Sequence, residues 1–378
     1  MGYSRDKLGK NSNCSHDIID RIVPVALSAL VDTFDREEQL FRYRLKRFGK
    51  GALAAGQAYR YTVIAALGLH EVERHGNRSP IDVESVVRNL IGHASEINNI
   101  GDVGLLIWLC SLSLPQEVSQ VYRDLDIGSA LTRYRDAGEE KTMELSWFLS
   151  GLAHMEIALK ECPSGFSELA ERTYQLLMRN YKGKGIFGHQ NRRSIAGAVR
   201  GRIGNFADQM YAVYALSKYI EAYGSAQAHT IVVDCAKSLC RLQGPLGQWW
   251  WHYDSVTGKV IGRYPVFAVH QDGIAPMALF TLGEVTGIDF SKAIFKGLEW
   301  IAGNNELGCD LVDISRNAIW RSLYRKKHKM LWDKLLCFLG FSRKGDEYKN
   351  IQTNFECWPY HLGWVLYAFA GKRRLEAM

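Results

Sequence analysis

No stretch of the 378-residue chain reaches the roughly 18 consecutive apolar residues that a membrane-spanning helix needs. The polar start, MGYSRDKLGKNSNCSHD, lacks the apolar core of a secretory leader. Cysteine is scarce and scattered: Cys14, Cys110, Cys162, Cys235, Cys240, Cys309, Cys337 and Cys357 include no C-x-x-C pair. Several sit inside apolar helical patterns, as Cys110 does in LLIWLCSL. Such spacing argues against a disulfide framework or a zinc site and predicts buried thiols in a reducing cytoplasm. The chain has no G-x-x-x-x-G-K-[ST] string, and GRIGNFAD after Arg200 follows no predicted strand. No nucleotide is therefore expected, and neither a metal nor any other cofactor is predicted.

An excess of positive charge is missing from most of the chain despite a formal net charge of +7. Between Arg316 and Lys349, ten basic residues face three acidic ones, so this segment carries the whole excess. A general nucleic-acid binder spreads its basic surface more widely, and no nucleic-acid partner is expected.

What is abundant is helical pattern. Six segments share a polar entrance followed by residues apolar nearly all round: YRYTVIAALGLHEVE from Tyr59, GDVGLLIWLCSL from Gly101, MELSWFLSGLAHMEIALK from Met143, ADQMYAVYALSKYIEAY from Ala207, HQDGIAPMALFTLGEVTG from His270 and WPYHLGWVLYAFAG from Trp358. Helices of that kind are buried on most sides. Between them run amphipathic segments, among them PIDVESVVRNLIGHA from Pro80, FSELAERTYQLLMRNY from Phe166, AHTIVVDCAKSLCRLQ from Ala228 and DFSKAIFKGLEWIAG from Asp289. Pro80 suits a first helical turn, and Gly76, Gly224 and Gly287 stand where helices should stop. No succession of strands is visible, since KVIGRYPVFAV stands alone and is broken by Pro265. A buried helix followed by an amphipathic one, about six times over, predicts an all-α protein built as a single (α/α)6 toroid. Residues 1–54 are assigned to an N-terminal segment with the first outer helices. Residues 55–378 form the toroid, with a basic amphipathic insertion at 316–349.

The string LCRLQGPLGQW resembles the Q-x3-G-x-W signature of squalene-cyclase and prenyltransferase β-type toroids, with Gln243, Gly247 and Trp249 in its positions. The amide ties off a helix end, glycine permits the turn and tryptophan packs over the corner. The layout from about residue 55 to 372 equally resembles six-hairpin glycosidases and related polysaccharide lyases and epimerases. The chain departs from the cyclases in lacking a D-x-D-D motif. It departs from the prenyltransferases in that Asp310, Cys309 and His361 do not have the spacing of a required zinc set. A shared fold does not choose a function.

In a toroid the inner-helix entrances converge on one mouth. Here they bring Tyr59 and Tyr61, Asp102, Glu144, Asp208, His270 with Gln271 and Asp272, and Tyr360 with His361. An acid at a helix start also caps free N–H groups, so each one has a structural alternative. The HQDG string is the preferred catalytic candidate, because a carboxyl and an imidazole tune each other's proton affinity. Catalysis is assigned to Asp272 and His270, with Asp208 or Glu356 as the second carboxyl across a scissile sugar bond. Substrate contacts are assigned to Trp250, Trp251, His252, Tyr253, Tyr264, Gln271, Asp102, Glu144, Trp358, Tyr360, His361 and Arg321. If QWWWHYD is extended, Trp250 and His252 face one way and Trp251 and Tyr253 the other, so one face meets something beyond the corner. Flat aromatic faces edged by polar groups suit the C–H faces of sugars, or an isoprenoid.

In RSLYRKKHKMLWDKLLCFLGFSRK, an apolar stripe of Leu331, Trp332, Leu335, Leu336 and Phe338 is flanked by Lys326, Lys327 and Lys329. This is the pattern of a helix lying on an anionic membrane surface, or of an outer helix packed on the toroid. The expectation is a cytoplasmic enzyme, peripheral on the inner face of the membrane, that hydrolyses or eliminates at a glycan or lipid-linked glycan. A terpenoid-cyclase-like or prenyl-handling enzyme is the first alternative. A non-catalytic toroid that scaffolds glycan assembly is the second.

Overall fold

The computed structural model describes residues 6–50, 57–97, 99–138, 140–191, 201–326 and 350–372. Within them, six inner helices form a ring: Gln57–Arg74, Ile100–Ser113, Thr142–Ala158, Phe206–Tyr223, a π turn His270–Ile274 running into Ala275–Thr286, and Pro359–Phe369. Each packs on the next, and the sixth returns to the first. The outer layer comprises Val83–Gly92, the pair Val118–Asp124 and Ile127–Asp136, Phe166–Met178, Ala226–Leu242 and Ser291–Ile301. The long N-terminal helix Asp6–Thr33 completes it over the sixth inner helix. The predicted (α/α)6 toroid is the fold observed.

Local chemistry accounts for the punctuation. Asp82 caps Val83–Gly92 by accepting the Ser85 N–H at 3.1 Å, and Asn99 caps the second inner helix through the Gly101 N–H at 2.9 Å. Pro80 therefore lies ahead of its helix, not in the first turn, because Asp82 is the better cap. Gly224 and Gly287 adopt φ of 69° and 73° and end their helices as left-handed caps. The ring is tight where small residues cross. A Cβ on Gly68 would lie 2.2 Å from the Gly363 carbonyl oxygen, where the first and sixth inner helices meet. A Cβ on Gly151 would lie 2.2 Å from the Gly104 carbonyl oxygen, where the second and third meet.

At the end opposite the mouth the ring fills itself. Trp108, His154 and Tyr214 stack, with Trp108 centroids 4.9 and 4.6 Å from the other two, and Trp364 and Tyr367 close in from the sixth helix. The hydroxyls of Tyr214 and Tyr367 lie 2.7 Å apart, and His154 Nε2 lies 2.8 Å from Tyr214 Oη. This aromatic plug, in which His154, Tyr214 and Tyr367 are hydrogen-bonded and the Trp108 and Trp364 indole nitrogens are not, fills the lower funnel.

Short antiparallel sheets decorate the mouth. Ile203–Asn205 pairs with His252–Asp254, which pairs with Lys259–Gly262; Val266–Phe267 pairs with Ser322–Arg325, which pairs with Ile351–Asn354. Glu356–Cys357 pairs with Leu45–Lys46 of an N-terminal hairpin. These strands have two to four residues each, too few for an alternating pattern to register in the sequence. No helix among the described residues is long and apolar enough to cross a membrane.

Candidate functional site

The N-terminal ends of the inner helices meet at one mouth, which has two unlike halves. Over the second, third and fourth inner helices it is ion-paired. Arg60 forks onto both oxygens of Asp102, its Nη2 3.0 Å from Oδ2, and lies 5.2 Å over the Trp147 ring. Glu144 accepts from Asn99 at 3.0 Å, Lys141 at 3.1 Å and Tyr134 at 2.8 Å. Asp102 and Glu144 are close because the helices are: a Cβ on Gly101 would sit 3.0 Å from Glu144 Cα. Burial raises the Asp102 pKa, Arg60 opposes the rise, and the neighbouring Glu144 adds to it.

Asp208 is fully buried inside a capping box with Asn205, accepting the Asn205 N–H and donating its own N–H to Asn205 Oδ1, each at 2.8 Å. The same carboxyl lies 3.1 Å from His189 Nδ1. Its pKa is raised by burial and held back by His189. His189, whose side chain is 26% exposed, is thus held at the mouth by a buried acid.

Over the fifth, sixth and first helices the mouth is aromatic. Half-buried Trp251 stacks on His270, centroids 5.7 Å and planes 15° apart, and meets Phe267 at 4.8 Å. The Arg321 guanidinium lies between Phe267, 5.3 Å from its centroid, and Trp358, 3.5 Å away. Beyond Trp358 come Tyr43, Tyr61 and Tyr360, with neighbouring centroids 4.7 to 5.8 Å from one another. Glu356 binds Arg321 at 3.1 Å, Arg44 at 2.8 Å and the Trp358 indole at 3.2 Å.

The HQDG string divides its residues among different jobs. His270 is buried among Trp251, Phe206 and Phe267, and its Nδ1 finds no hydrogen-bond partner. Burial, helped by His361 and Arg321, lowers its pKa to about 3, so the ring is neutral. Gln271 is fully buried, its Oε1 accepting the Trp249 N–H and its Nε2 donating to the Phe267 carbonyl, each at 3.2 Å. Asp272 has no exposed surface. Its Oδ1 lies 2.7 Å from His361 Nε2 across the fifth and sixth helices, and its Oδ2 has no partner. Burial raises its pKa against the pull of His361.

The aromatic run does not alternate as an extended strand would. A register shift falls between His252 and Tyr253, so Trp251 and His252 remain neighbours at 5.0 Å while Tyr253 turns wholly into the core. Trp250 packs at the outer corner beside Gly244, Tyr264 and Arg263. Tyr264 donates to Glu306 at 2.6 Å, an acid that also takes the Trp300 indole. Of the basic segment, Lys326 follows the strand Ser322–Arg325 and is exposed, whereas Lys327, Lys329, Leu331, Trp332, Leu335, Leu336 and Phe338 lie outside the described residues. Among the described residues no three His, Cys, Asp or Glu side chains gather as a metal site would need.

His189, Arg60, Tyr43 and Phe267 escaped the sequence reading. A signal for His189 did exist. Tyr181, Gly185 and Phe187 stand in the spacing of Gln243, Gly247 and Trp249, and Phe187 donates its N–H to Gln209 across 22 residues as Trp249 does to Gln271. This degenerate second corner places His189 where the next repeat has Trp251.

No protein-family model matches the chain, and no curated protein matches it. Solved structures do. A sugar epimerase from a ruminal bacterium is similar with a TM-score of 0.63 at 11% identity, covering 97% of this chain and 100% of that one. An unsaturated glucuronyl hydrolase from Bacillus sp. GL1, described as responsible for the degradation of glycosaminoglycan, gives 0.56 at 14% identity over 94% and 96%. An unsaturated glucuronyl hydrolase specific for heparin gives 0.57 at 13% over 95% and 96%. At such identities the likeness shows the toroid fold alone.

Proposed function

We propose that the chain is a glycan-active hydrolase working at the mouth, with Asp102 and Glu144 as its reacting carboxyl pair. The observation that carries this reading is their juxtaposition at the starts of two helices brought together by Gly101, with Glu144 raising the proton affinity of Asp102. Asp102, its proton affinity raised by burial and by Glu144, supplies the proton to the glycosidic oxygen once the substrate displaces Arg60 from one of its oxygens. Glu144, held by Lys141, Asn99 and Tyr134, takes one from the attacking water. The hydroxyl joins the anomeric carbon as the glycosidic bond breaks. Trp251 and Phe267 offer ring faces to the sugar, and His189, aimed by Asp208, serves a sugar hydroxyl. Asp272 and His361 act from behind, as a buried pair that sets the fifth helix against the sixth. Structural neighbours that hydrolyse or epimerise sugars support the substrate class.

The test is a panel of neutral and uronic oligosaccharides followed for new reducing ends. Cleavage is expected for one class, with Glu144→Gln losing about 10³-fold or more at an unchanged melting temperature. Solvent deuterium appearing at a sugar carbon without cleavage would replace hydrolysis by epimerisation. A second reading is a toroid that binds glycan without turnover, favoured by the plug of Trp108, His154 and Tyr214. Binding by every variant with no product would establish it.

The membrane part of the reading rests on the charge and apolar stripe of residues 316–349. We propose that this segment brings the enzyme to an anionic membrane surface and so to a lipid-linked glycan. Leu335→Ser with Leu336→Ser should then abolish cosedimentation with phosphatidylglycerol vesicles. Equal sedimentation of variant and parent discards the idea.

A further inference from the structure

The fourth and fifth repeats of the ring use the same device at the same spacing. Gln209 takes the Phe187 N–H at 2.7 Å and returns its amide to the Phe187 and Asn205 carbonyls at 2.8 and 3.2 Å. Gln271 takes the Trp249 N–H and returns its amide to the carbonyl four residues before it, that of Phe267. Both amides are fully buried, and neither has surface with which to meet a ligand. Each spans from the inner helix to the incoming corner, two residues before the side chain delivered to the mouth: His189 in one repeat, Trp251 in the other. A buried amide used at both ends is a rigid bracket, since losing either bond strands a backbone group away from water.

We propose that Gln271 is a positioning residue that holds Trp251 parallel to His270 as the platform on which a sugar ring stacks. The ligand class rests on the glycan reading above; the bracket does not. Three contacts converge on this geometry. Gln271 fixes the backbone of Trp249. The His270 ring sits 5.7 Å from that of Trp251 with the two planes 15° apart. Phe267, whose carbonyl is the other end of the bracket, closes the side of the same indole at 4.8 Å. A bracket one residue away from His270 and bonded to Phe267 therefore controls two of the three ring neighbours of Trp251, the third being His252. Without it the indole keeps its corner but loses its angle, and a stacking surface depends on the angle.

The experiment uses full-length protein labelled with 5-fluorotryptophan, the Trp251 resonance being assigned by its disappearance in Trp251→Phe. Gln271→Met keeps the length of the side chain and removes both hydrogen bonds; Gln271→Glu keeps the acceptor for Trp249. Expected is a shifted or broadened Trp251 resonance in Gln271→Met, with Trp108 and Trp300 unmoved, and a smaller change in Gln271→Glu. Oligosaccharide KM should rise about 10-fold in Gln271→Met with kcat within about twofold, the loss of one well-formed stack. A Trp251 resonance that stays in place in a folded Gln271→Met overturns the bracket. A moved resonance with unchanged KM keeps the bracket and overturns Trp251 as the sugar platform. Should Gln271→Met not fold, Gln271→Glu carries the same two readouts.

Discussion

The fourth and fifth repeats are built alike and furnished differently. Both have a corner glycine with positive φ, 66° at Gly185 and 101° at Gly247, and both have a buried glutamine bracket. Tyr181 accepts the Gly185 N–H and reaches Asp234 of the following outer helix; Gln243 donates to the Gly247 carbonyl and to that of Ala293 on the next. Upon this shared frame one repeat presents an acid–imidazole pair, Asp208 with His189, and the other an indole–imidazole stack, Trp251 with His270. The difference teaches where specificity can change in such a ring. Corner and bracket are constrained by backbone hydrogen bonds, whereas the side chain two residues beyond is only partly buried and differs between the two repeats.

The largest effect should come from breaking the frame itself. An alanine Cβ at Gly247 meets the Lys296 backbone oxygen at 2.0 Å, while at Gly185 the nearest atom is the Ser238 hydroxyl, 2.1 Å away. At Gly185 the hydroxyl can rotate, which leaves the Ser238 Cβ at 2.6 Å, whereas at Gly247 every near atom is helix backbone. Gly247→Ala should therefore cost about 4 kcal/mol or more and Gly185→Ala about half that, read by urea denaturation. Equal losses would mean that the two corners are equally rigid.

Changing the furniture should alter activity more than folding, and through different constants. His189→Gln should lower kcat about 10²-fold, leaving KM nearly as it was. Trp251→Ala should raise KM about 10-fold and spare kcat. If both variants change the same constant, the two halves of the mouth do not divide chemistry from binding.

The smallest effect is on the pH dependence of stability. His270 has a folded pKa of about 3, below its unfolded value, so the unfolded chain takes up the proton first. Its contribution is complete above the unfolded value of about 6.5 and is lost as pH falls toward 3. His270→Phe keeps a flat ring where Nδ1 has no partner, and should be nearly neutral at pH 7 while weakening the fall in melting temperature between pH 6 and 4. An unchanged slope would assign that fall to other groups.

Much of this protein could be read before any coordinate was known. Apolar-all-round segments alternating with amphipathic ones can satisfy their surfaces only as two concentric helix layers, so the toroid and the ring of helix starts follow from composition and period. The corner at Gln243, Gly247 and Trp249 was legible because its three residues are local. Side-chain partnership was not. Asp102, Glu144, Asp208 and Asp272 look alike in the sequence as acids near helix starts. Only packing made one the partner of Arg60, one a carboxyl held by three donors, one a cap that aims His189, and one a buried contact of His361. The register shift at His252 likewise undid the alternation that a straight strand would have imposed on the tryptophans. Periodicity acts through the backbone and is written along the chain. Which lone pair meets which donor depends on residues tens of positions apart, and the tertiary structure alone decided it.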